Sequence, residues 1–76
     1  AEGDKGDVDK QMRAADAEVV AGAPEKAFDR LIETMKTTAG DEKARVRERL
    51  LELFGLFEGN DPRVMEARTK LASALY

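Results

Sequence analysis

Histidine, cysteine and tryptophan are all missing from this 76-residue chain. Without cysteine no disulfide can staple the fold and no thiolate nucleophile is possible. Without histidine the chain lacks both the commonest general base and the commonest metal ligand. Aromatics amount to 5% of the residues, three Phe and one Tyr, too few to build a stacking platform for bases. Neither charge sign dominates. Thirteen Lys and Arg are interspersed with sixteen Asp and Glu, giving a net charge of −3. A nucleic-acid footprint wants a clustered basic face instead. No apolar run approaches the roughly 20 residues of a membrane span, and no charged-then-apolar start resembles a signal peptide. The default expectation is a cytoplasmic setting. Period-two alternation and β-branched runs are missing too, so no sheet is expected.

What is present is charge and helical periodicity. Charged residues make up 38% of the chain, in a pattern expected of solvated helix faces. The stretch Arg45–Phe57, RVRERLLELFGLF, has the strongest apolar signal. Val46, Leu50, Leu53, Phe54 and Phe57 share one face at helical spacing, and Leu51 and Leu56 widen it. So broad an arc suggests a central helix with partners on both flanks. A chain of this length forms one domain, with a net stability of roughly 3–5 kcal/mol from a single core.

Taken in order, Ala1–Gly6 is polar with two glycines and reads as a flexible linker or expression remnant. Asp4, Asp7 and Asp9 do not have calcium-loop spacing, and no glutamate closes the set. A first helix is expected over about Asp7–Ala21. It has a narrow face of Val8, Met12, Ala15 and Val19 and ends at Gly22, a helix C′ residue. This helix looks the weakest and the one able to detach or swap. A second helix follows over Pro24–Thr38, with Pro24 in its first turn and Ala27, Phe28, Leu31, Ile32 and Met35 buried. Lys26, Asp29, Arg30, Glu33 and Lys36 form its wet face. So short a turn makes the two helices antiparallel neighbours. Asp41 is a candidate N-cap for a third helix over about Asp41–Glu58, with Gly55 a weak point inside it. Asp61-Pro62 is a strong start signal for a fourth over about Pro62–Leu75. There Val64, Ala67, Leu71, Ala74 and Leu75 share a face, and Glu66–Lys70 forms an i,i+4 pair.

No chemistry-bearing cluster emerges. Glu48 and Glu52 stand four apart, as an acid–base pair could, but opposite the apolar side and in water. Arg45, Arg47, Arg49, Arg63 and Arg68 do not share one face. Neither catalytic, cofactor-binding nor metal-ligating residues are expected, so the chain is read as a non-enzyme. Leu51, Leu56 and Met65 exceed what the main core needs. They are either a groove for a client or partner or ordinary packing against the second helix or a neighbouring domain.

The run Gly22-Ala23-Pro24-Glu25-Lys26-Ala27, followed by Leu31, resembles the turn and second helix of a tetratricopeptide repeat. Gly22, Ala27 and Leu31 match that pattern, and Ala15 fits the small position of its first helix. Gln11 and Glu18 stand where the repeat usually carries aromatics. The second half, Leu50-Leu51-Glu52-Leu53-Phe54, then Asp61-Pro62-Arg63-Val64, then Glu66-Ala67-Arg68 and Lys70–Tyr76, is similar to the end of YbbN-type thioredoxin-family proteins, the chaperedoxins. The likeness spans roughly residues 8–76, most specifically 46–76, and departs at Gly55.

That resemblance implies a C-terminal fragment whose thioredoxin-like domain lies outside this sequence. It also implies a task of binding unfolded or oxidised clients, a chaperonin, or both. Leu71, Leu75 and Tyr76 would belong to a C-terminal helix offered to the chaperonin, unless the two leucines simply seal the core.

The expected fold is therefore all-α: four helices in two antiparallel, tetratricopeptide-like hairpins. The expected role is a non-catalytic interaction module, with no cofactor, nucleic acid or membrane partner, present as a monomer or weak dimer. The alternative is a structural or dimerisation domain that positions a catalytic neighbour.

Overall fold

A computed structural model describes the backbone of residues 2–75 and the side chains of residues 8–74. The chain folds into α1 (Glu2–Val20), α2 (Pro24–Lys36), α3 (Gly40–Phe54) and α4 (Pro62–Leu75). There is no strand among the described residues. The helices form two hairpins, α1–α2 and α3–α4, as expected.

Helix α1 starts at Glu2, where the sequence suggested a linker over 1–6 and a start at Asp7. The α1–α2 turn is a Schellman motif. Gly22 adopts φ +88°, its amide donates to the Val19 carbonyl (3.1 Å), and the Ala23 amide donates to the Glu18 carbonyl (2.8 Å). Pro24 then opens α2 at its first position. At the far end of α2, threonine hydroxyls satisfy carbonyls that the helix leaves free. Thr37 and Thr38 both donate to the Thr34 carbonyl at 3.0 Å. Helix α2 therefore stops at Lys36, two residues before the expected end.

Helix α3 is shorter than its sequence suggested. It begins at Gly40, whose φ of +62° lies in the left-handed region, so Asp41 stands in the first turn rather than at the cap. It ends at Phe54 instead of Glu58. The Gly55 amide is shared between the Leu51 and Glu52 carbonyls. The next two amides bond three residues back, Leu56 to Leu53 and Phe57 to Phe54. This tightening, typical of a last turn, brings Phe57 round to Phe28. Helix α4 begins as Asp61-Pro62 predicts. The Asp61 carboxylate accepts the Arg63 amide at 2.9 Å and is also gripped by the Arg63 guanidinium.

The core is Val8, Met12 and Ala15 from α1; Ala27, Phe28, Leu31, Ile32 and Met35 from α2; Val46, Leu50, Leu53 and Phe54 from α3; and Val64, Ala67 and Leu71 from α4. Val19, Phe57 and Ala74 pack at its edge. The central helix is α2, not α3: α2 packs closely against α1, α3 and α4, and α1 also touches α3. Nor is α1 loosely held, since its contact with α2 is the most extensive in the fold. Phe28 anchors the arrangement. Its ring meets Phe54 edge-on (centroids 5.0 Å, 75°) and Phe57 likewise (5.9 Å, 90°), the geometry aromatic quadrupoles favour.

Candidate interaction surface

Ion pairs link neighbouring helices and decide which charges remain free. Arg30, expected on the wet face of α2, instead lies half-buried against α1. Its Nε and Nη2 donate to the two Glu18 carboxylate oxygens at 2.9 Å each, and its Nη1 donates to Gln11 at 2.7 Å. Gln11 and Glu18, the two residues that break the repeat's aromatic pattern, thus together hold one guanidinium. The hydrogen bonds from Arg30 hold the Glu18 carboxyl below its ordinary range, and Glu18 in turn raises Arg30.

Arg45 pairs with Asp9 at 2.8 Å and Arg49 pairs with Asp16, which aligns α3 parallel to α1. Lys70 reaches Asp29 on α2 at 3.0 Å, an inter-helix bond in place of the expected pairing with Glu66. Asp61 is held low by the hydrogen bonds it accepts from the Arg63 side chain and amide. Arg63 also lies over the Phe57 ring (5.4 Å), and Arg68 lies over Phe54 (5.8 Å).

A depression of about 890 Å³ lies along α1 and α2, with Gln11, Glu18, Arg30 and Thr34 among its lining. Within its lining Arg30 and Glu18 pair with each other, while Asp29 and Glu33 pair with Lys70 and Lys36 outside it; Lys26 and Glu42 make no ion pair among the described residues. Glu48 and Glu52 are exposed, and Glu52 sits beside Arg49. Among the described residues no three His, Cys, Asp or Glu come together as a metal site, and no helix is long and apolar enough to cross a membrane.

The apolar candidates separate clearly. Leu51, Leu56 and Met65 are 43%, 66% and 55% exposed. Leu71 is 7% exposed and belongs to the core, facing inward with Val64 and Ala67, as in the alternative in which it seals the core. The Leu75 side chain and Tyr76 lie outside the described residues. Val20, 88% exposed at the end of α1, was not anticipated. Its signal was available in the sequence, because it follows Val19 by one residue and must point about 100° away from it.

The chain is similar to an uncharacterised protein of Mycobacterium bovis and to uncharacterised proteins of two strains of Mycobacterium tuberculosis. Each is 47% identical over 70 residues, which is 92% of this chain and 23% of the relative. The chain therefore spans about a quarter of the length of these relatives. No solved structure matches it. Tetratricopeptide repeats generally mediate protein–protein interaction and are typically non-catalytic. The profile of the tetratricopeptide repeat matches residues 1–76, so this chain belongs to the tetratricopeptide-repeat family.

Proposed function

We propose that this domain is the non-catalytic protein-binding part of a cytoplasmic, thioredoxin-like co-chaperone of the YbbN type. It holds unfolded or oxidised clients, and docks on a chaperonin, through apolar side chains left outside its core. The observation that carries this reading is the exposure of Leu51, Leu56 and Met65, while fifteen other apolar side chains among the described residues are buried. Flexible leucine and methionine side chains suit a surface that accepts varied apolar segments. The greater length of the mycobacterial relatives leaves room for a neighbouring domain.

The test is light scattering from an unfolding client, such as reduced insulin, with and without this domain. Suppression is expected, and it is expected to fall in L51S/M65S while the melting temperature stays unchanged. No suppression by the unmodified domain overturns the reading. For the chaperonin, deletion of residues 72–76 is expected to abolish co-sedimentation; retention of binding removes that part.

A further inference from the structure

The α3–α4 hairpin is held together mainly from below. Each of its helices packs closely on α2, while the two touch one another far less. The facing edges of the pair are therefore open. On α3 the residues at i, i+3, i+7 and i+10 are Ala44, Arg47, Leu51 and Phe54, one strip by helical geometry. On α4 the corresponding strip is Met65, Arg68 and Ala72. All seven except Phe54 are exposed. Arg68 over the Phe54 ring shows that the strips adjoin.

Neither strip carries a carboxylate. Arg30, Arg45, Arg49 and Arg63 are each paired with an acid, whereas Arg47 and Arg68 make no ion pair among the described residues. The cleft thus combines leucine, methionine and an aromatic edge with two unneutralised guanidinium groups. This occurs in a chain whose net charge is negative.

We infer that the α3–α4 cleft binds acidic, leucine-containing segments of partner proteins. Leucines pack on Leu51 and Met65, and carboxylates pair with Arg47 and Arg68. This inference rests on the interaction reading above and narrows it to one partner chemistry.

The chain's overall charge of −3 works against such a ligand, so an acidic preference must come from the cleft itself. The test uses a fluorescein-labelled peptide repeating Leu-Glu-Glu-Leu and its lysine counterpart, followed by anisotropy. The unmodified domain is expected to bind the acidic peptide about tenfold more tightly than the lysine one, from two exposed pairs. R47E/R68E is expected to reverse the order, and binding of the lysine peptide by that variant shows that it is folded. R47E alone is expected to fall between. Equal or stronger binding of the lysine peptide by the unmodified domain overturns the inference, as does an unchanged preference in the double variant. The client-scattering assay keeps the two claims apart: suppression of aggregation alongside a lysine preference leaves the interaction reading standing and removes this one.

Discussion

At the scale of single residues, the departures from a repeat pattern carry the most information. Gln11 and Glu18 look like losses if only aromatic positions are counted. With Arg30 placed between them, they become a polar clamp joining α1 to α2. The sequence could not reveal this, because Arg30 has the same helical phase as other solvated residues and its partners lie 12 and 19 positions away. Truncating Glu18 to alanine is expected to cost about 0.5–1 kcal/mol, the value of a partly exposed bidentate pair, read as a lower urea midpoint. The clamp also sets a pH response. The Glu18 carboxyl has a folded-state pKa below its ordinary value of 4.5. Its stabilisation is therefore complete above that value and is lost as pH falls through the lower, folded one. Chemical denaturation across the acid range is expected to show a smaller loss of stability in E18Q than in the unmodified chain. Gly22 was legible from the start, since only glycine takes φ +88° without strain. A Cβ there meets nothing within 4 Å, so G22A is expected to cost only the backbone penalty, about 1–2 kcal/mol.

Among the elements, the number, order and type of the helices were readable because turn signals and apolar periodicity agree. Asp61-Pro62 and Gly22 each mark an end where the structure has one. The central element is not the one with the strongest apolar signal. Arg45–Phe57 has the widest apolar arc, but part of it, Leu51 and Leu56, is exposed. The narrower face of α2 is buried in full because it meets three helices, whereas α3 packs on α2 and only touches α1. Periodicity reports how wide a face is, not how many neighbours cover it. Gly55 ends α3 rather than merely weakening it, because the following amides turn inward to seat Phe57 on Phe28. Phe28 is the residue on which this arrangement depends. Replacing a buried Phe by Ala costs about 3–5 kcal/mol, comparable to the whole stability of a chain this small. F28A is expected to lose its helical circular dichroism at room temperature. F57A, at the edge of the core, is expected to stay folded with a lower melting temperature.

At the scale of the whole molecule, the Cα atoms occupy 38 × 29 × 15 Å with a radius of gyration of 11.8 Å. The short dimension leaves room for about two helix layers at the usual spacing of 8–10 Å. A slab this thin has wide faces, and its exposed apolar residues are scattered over them. Leu51 and Met65 lie along the α3–α4 cleft, Leu56 in the connection after α3, and Val20 at the end of α1. A stable dimer of standard size buries about 600–1,000 Å² of each partner. Against an accessible surface of 4995 Å², that requires between a tenth and a quarter of the molecule to be one continuous complementary patch. The exposed apolar side chains here are interrupted by Arg47 and Arg68, which two copies would bring into mutual repulsion if they met cleft to cleft. The domain is therefore expected to sediment as a monomer at micromolar concentration. R47E/R68E removes the cationic barrier but leaves Leu51 and Met65 in place, and it too is expected to remain monomeric, since the apolar area alone is too small. Sedimentation equilibrium of both proteins checks this directly. A dimer of the unmodified domain would overturn this expectation, and the charge-reversed variant would then show whether the arginines lie inside that contact.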